Sequence, residues 1–82
     1  MKLGVVGIII EGDRSVAVSV QQILTEYNDL IVGRMGLPNL AENISMISIG
    51  VKGSIERISA MTGRLGRLNN VKVKTAVSDI DV

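Results

Sequence analysis

Eight residues near the start of the chain, Leu3 to Ile10, read LGVVGIII. Successive side chains of an extended strand point to opposite faces. Leu3, Val5, Gly7 and Ile9 therefore face one way, and Gly4, Val6, Ile8 and Ile10 the other. Neither set holds a polar residue, so this strand needs cover on both sides. A bilayer does not supply it: spanning one takes about 20 apolar residues, Glu11 ends the run, and no small-residue cleavage site follows. A chain of 82 residues buries only roughly 60% of its unfolded surface. Two covering layers are hard to build from so little chain, so a second subunit is the expected source of one.

Composition narrows the chemistry. There is no Cys, His, Trp or Phe, and Tyr27 is the one aromatic residue. Disulfides, thiolate chemistry, the usual transition-metal ligands and the usual general base near neutral pH are all missing. No Ser/His/Asp set exists, and the paired Asp79 and Asp81 sit in the tail. The expectation is a protein that is not an enzyme, with no cofactor and no metal. A small aliphatic domain without staples often gains stability by oligomerising. The net charge of +1 argues against direct nucleic-acid binding, and a sheet without aromatics lacks the stacking platform that RNA recognition uses. One domain spanning 1–82, with its core at about 3–77 and a cytoplasmic setting, is expected.

Hydrophobic spacing orders the rest. Glu11-Gly12-Asp13 reads as a turn, with Asp13 or Ser15 capping a helix. Val16, Val20, Ile23, Leu24 and Tyr27 fall on one face of that helix. Leu30 to Met35 and Asn43 to Lys52 read as strands rich in Ile and Val. Ser54 caps a second helix, whose inward stripe is Ile55, Ile58, Met61, Thr62, Leu65 and Leu68, with Gly66 as its stop. Asn69-Asn70 is a turn. Val71 to Val77 alternates, with Lys72 and Lys74 outward, and Ser78 to Val82 is expected to fray. The order β-α-β-β-α-β is the split βαβ pattern of an α+β, ferredoxin-like sandwich: a four-stranded antiparallel sheet with two helices on one face. The first and third strands then lie in the centre, and the bare sheet face has a greasy middle and a charged margin. That face is the expected homo-oligomer interface, dimer or tetramer.

Several stretches carry a family resemblance. VVGIIIE at Val5–Glu11, ILTEYNDLIVGRMG at Ile23–Gly36, NISMISIGV at Asn43–Val51, the Gly63-x-Leu65-Gly66-x-Leu68 helix end and VKVKTA at Val71–Ala76 resemble a family of short bacterial proteins, the iron-only hydrogenase system regulators. The GRMG segment followed by the NIS strand start is the most specific part. The resemblance implies a stand-alone ACT-like domain, similar also to the C-terminal domain of nickel-responsive regulators. It further implies sheet-to-sheet oligomers and sensing of a small molecule or metal. The nickel site of those repressors needs His and Cys, and neither occurs here. Their DNA contact comes from an N-terminal ribbon-helix-helix, for which a core strand starting at Leu3 is expected to leave no room.

The candidate site is the glycine-bracketed arginine at Gly33, Arg34, Met35 and Gly36, with Gly12 and Asn39 flanking it. Two glycines around an arginine, followed by Pro38, read as a bent loop between strands. The loop is either hairpin turn chemistry or a surface that faces a ligand or a subunit. Arg34 either clamps a carboxylate bidentately or pairs across subunits with Glu11, Asp13 or Glu42. Arg57, Arg64 and Arg67 fall within an arc of ~80° on a helix and, with Lys72 and Lys74, read as a basic patch or a solvated face. A small-molecule effector is the expected partner. The alternative is a structural protein-interaction module with no ligand, docking on a hydrogenase maturation protein.

Overall fold

The computed structural model describes residues 1–82. The elements run β1 (Lys2–Glu11), α1 (Arg14–Glu26), a short 3-10 turn (Asn28–Leu30), β2 (Ile31–Ala41), β3 (Ile44–Gly53), α2 (Ile55–Gly66) and β4 (Val71–Asp81). The four strands form one sheet in the order β2-β3-β1-β4. Every neighbouring pair is antiparallel. This is the expected ferredoxin-like βαββαβ arrangement, with β1 and β3 central.

The inner face follows from alternation. Val6, Ile8 and Ile10 of β1 and Ile47, Ile49 and Val51 of β3 are buried beneath the helices. Val20, Ile23 and Leu24 of α1 and Ile58, Met61 and Leu65 of α2 meet them in one cluster with Leu30 and Val71. No polar side chain is buried in this core. The opposite set of β1, Leu3, Val5 and Ile9, stays 39–57% exposed. No helix is long and apolar enough to cross a membrane.

Both helices begin as their sequences dictate. The Asp13 carboxylate accepts from the Ser15 backbone N–H at 3.0 Å and from the Ser15 hydroxyl, which decides between the two candidate caps. Ser54 Oγ accepts from the Arg57 backbone N–H at 3.2 Å. Gly12 precedes α1 because a Cβ there would lie 2.8 Å from Val16 Cγ2. The turn that opens α1 is therefore too tight for a larger residue.

Two expectations are corrected. The segment Gly33–Gly36 is not a loop: it lies inside β2, paired with Gly50, Ile49, Ser48 and Ile47 of β3. No glycine has a positive φ; Asn39, Asn43 and Asn70 do, at 55°, 58° and 67°. Asn tolerates this region because its short polar side chain can bond locally. The hairpin reverses at Glu42 and Asn43 instead. Asn39 and Pro38 sit in a register shift between Leu37 and Ala41, and a second shift follows Ile31. These are bulges that bend an edge strand.

The tail is also ordered. Ser78–Asp81 continues β4, and the Val82 N–H donates to Met1 O at 2.8 Å. Lys2 Nζ lies 3.0 Å from the Asp81 carboxylate and 3.1 Å from the Asp79 carbonyl.

Replacing Ile8 by Ala empties the middle of the core, where Ile8 is fully buried. We expect a loss of about 2–5 kcal/mol, read as a lower urea midpoint with an unchanged m-value. A change under about 0.5 kcal/mol would contradict the packing described.

Candidate functional site

Register splits the glycine-arginine motif between two faces. Met35 is opposite Ser48, and Gly33 opposite Gly50, on the bare side of the sheet. Arg34 is opposite Ile49, and Gly36 opposite Ile47, on the helical side. The four residues therefore do not form one surface. Arg34 reaches back to α1, where its Nη2 donates to Gln21 Oε1. In this chain its partner is that neutral amide, and none of Glu11, Asp13 or Glu42 is paired with it.

Arg34 borders a groove between α1 and the β2–β3 hairpin. One part, about 310 Å³, is lined by Ala17, Gln21, Arg34, Gly36, Leu37, Pro38 and Ser45 among others. The adjoining part, about 450 Å³, holds Gly12, Asp13, Arg14, Asn39, Asn43 and Ser45. Ile10, Ala17, Pro38 and Ser45 line both. The structure thus brings Gly12 and Asn39 together at one end and Arg34 with Gly36 at the other, and it leaves Gly33 and Met35 outside. These volumes match those of small-molecule clefts, about 300–1,000 Å³.

The fold builds this groove from backbone turns. At the end of β1, the Gly12 N–H donates to Asn43 O and the Glu11 N–H to Asn70 O, both at 2.8 Å. The two left-handed asparagines thereby stitch the end of β1 to the starts of β3 and β4. Asp13 is held below its ordinary value by its hydrogen bond from the Ser15 hydroxyl, then by the Ser15 backbone N–H. The groove therefore presents Asp13 beside Arg14 at one end and the Arg34 guanidinium at the other, with amides and a hydroxyl between. Sequence reasoning missed Gln21, Arg14, Asn43 and Ser45. A signal existed for Gln21: it stands one helical turn beyond the small Ala17, on the flank of α1's apolar stripe.

No group of three or more carboxylate, His or Cys side chains is placed to hold a metal ion.

A family profile described as "TM1266-like: Iron-only hydrogenase system regulator, putative" matches residues 2–75. The chain belongs to this family. The uncharacterized protein TM1266 from Thermotoga maritima has a solved structure that superposes with a TM-score of 0.88 at 28% identity, over 94% of this chain and 98% of that one. A formyltetrahydrofolate deformylase from Pseudomonas putida KT2440 superposes with a TM-score of 0.62 at 6% identity. It does so over 90% of this chain but 28% of its own length, a likeness of fold alone. No protein of curated function matches the sequence.

The arginines of α2 do not make a free basic patch in this TM1266-like chain. Arg57 forms a bidentate pair with Asp29, and Arg64 with Glu26. Both guanidinium carbons lie over Tyr27, 5.7 and 5.8 Å from the ring centroid, within cation–π range. The only aromatic ring thus ties the end of α1 to α2. The arginine hydrogen bonds, Arg64 to Glu26 and Arg57 to Asp29, hold these carboxyls below their ordinary 4.5 and 3.8.

A carboxyl depressed on folding adds stability above its unfolded value and loses it as pH falls through its folded value. Wild-type protein should therefore lose this increment below about pH 4.5. The double variant Glu26→Gln/Asp29→Asn should be less stable at neutral pH, with a flatter acid limb that merges with wild type in strong acid. Urea midpoints across pH 2–7 check this. Superimposable curves over the whole range would mean that the exposed pairs contribute nothing.

Proposed function

We propose that this chain is a non-catalytic regulatory domain that takes a small carboxylate-bearing ligand in the groove between α1 and the β2–β3 hairpin. Copies of it assemble through the bare sheet face. The observation that carries the ligand reading is Arg34: its guanidinium stands at the groove's border, positioned by a neutral amide. Its charge is thus aimed and not neutralised, and a planar fork suits a carboxylate. The backbone at Gly36 and Gly12 lets a ligand approach closely, and Asn39, Asn43 and Ser45 supply further polar atoms. A chain without His or Cys favours binding over catalysis. The family description supports a setting in the regulation of an iron-only hydrogenase system.

The second reading is a protein-interaction module with no ligand. The exposed apolar residues of the bare face, Leu3, Val5, Ile9 and Met35, favour it.

Native mass spectrometry of gently purified protein separates the two: retained extra mass supports the sensor, and a bare assembly supports docking. Small carboxylates are then screened by thermal shift. At a hundredfold excess over Kd a ligand stabilises by about 2.7 kcal/mol, or roughly 10–20 °C for a domain of this size. We expect Arg34→Ala to keep its basal melting temperature within a few degrees and to lose that shift. A protein that retains no mass and answers to no carboxylate, or an Arg34→Ala variant that responds as wild type does, would overturn the ligand reading.

A further inference from the structure

Strand register gives the bare face a relief. Directly opposed residues share a face, so three rows cross the sheet from β2 to β4. The first holds Gly33, Gly50, Val5 and Ala76; the second Met35, Ser48, Gly7 and Lys74; the third Leu37, Met46, Ile9 and Lys72. Small residues therefore run as a connected trench through Gly33, Gly50, Ser48 and Gly7. Met35 and Ile9, both exposed, stand beside it as a ridge, with the half-buried Met46 between them.

Two of the three glycines of this trench, Gly7 and Gly33, are unexplained within one chain, whereas a Cβ at Gly50 would touch Val32 Cγ2 at 3.6 Å. A Cβ at Gly33 would meet nothing within 4 Å, and at Gly7 only the Lys74 carbonyl oxygen at 3.9 Å. Neither has a positive φ. Glycine weakens a strand interior, and it marks places where another backbone or a ligand comes close. The contrast with glycines elsewhere is direct: at Gly4 and Gly53 of the inner face, and at Gly12 in the turn before α1, a Cβ would lie 2.5–3.1 Å from another atom. Those glycines are needed for intramolecular packing, whereas Gly7 and Gly33 leave room for something outside.

We infer that the trench receives the methionine ridge of a second copy of this chain, in an isologous, face-to-face pair. A two-fold axis sets the ridge of each copy in the trench of the other, because both features lie on one patch. Met suits this role: its thioether side chain is flexible and fills irregular gaps. Four strands about 4.8 Å apart and about ten residues long give a footprint of roughly 600 Å² per copy. Two such footprints reach the lower bound of about 1,200 Å² for a stable interface. Lys72 and Lys74 lie along one margin, as a polar rim around an apolar centre. This inference rests on the sheet-assembly part of the proposed function and adds which residues make the contact.

The test turns on substitutions that suit the isolated chain. Valine has higher strand propensity than glycine, and the space above Gly7 and Gly33 is open. Gly7→Val and Gly33→Val should therefore keep the wild-type circular dichroism and a urea midpoint equal to or above that of wild type at high dilution. In sedimentation equilibrium their association should weaken at least tenfold. Met35→Ala should weaken it as well. Should a valine variant fail to fold, Gly7→Ala and Gly33→Ala, which add one methyl group, are read in its place. Folded variants that associate as wild type does would overturn the trench while leaving sheet assembly intact. A wild-type monomer at micromolar concentration would overturn sheet assembly itself.

Discussion

Strand β1 is hydrogen-bonded along both of its edges, to β3 over its whole length and to β4 over most of it, and its inner face is the floor of the core. Each other element is placed by reference to it. The helices pack on Val6, Ile8 and Ile10 because those side chains have nowhere else to be buried. The groove opens where β1 ends, since Gly12 and Glu11 take up the carbonyls of the two asparagine turns there. The bare face is apolar because the same strand carries Leu3, Val5 and Ile9 on its other side. Core, groove and outer surface thus descend from one run of aliphatic residues.

The architecture was legible because alternation and helical spacing are local. Val6, Ile8 and Ile10 against Leu3, Val5 and Ile9 could be read without any partner, and so could the stripe Ile58, Met61 and Leu65. What failed depended on distant residues. Glycines and a proline around Arg34 have the composition of a turn, yet pairing with Ile47–Gly50 draws them into a strand, and asparagines carry the left-handed positions. The tail looked free because its partners, Met1 and Lys2, lie about 80 residues away in sequence. Two members of the expected basic patch, Arg57 and Arg64, are instead paired with acids outside their own helix, Asp29 and Glu26.

At the candidate site, the residues singled out from the sequence fall on two different surfaces. Arg34, Gly36, Gly12 and Asn39 border the groove, but Gly33 and Met35 face away from it. A motif that looks contiguous along the chain serves two surfaces once it is a strand. Arg34 belongs to the α1 side and Met35 to the open sheet, one residue apart. A substitution anywhere in this segment can thus disturb either surface without touching the other.

The two edges of the sheet are both irregular. On β2 the ladder slips after Ile31 and again around Pro38 and Asn39, and on β4 it slips between the partners of Lys2 and Gly4. A further strand approaching from either side meets a bent, partly mismatched row of donors and acceptors. Lateral growth of the sheet is thereby discouraged at both ends. In the assembly proposed above the contact uses a single face of a slab, and a slab that adheres by one face closes on its partner and stops. The bulges would thus set an upper limit on the size of that proposed assembly, favouring a finite particle over a fibre.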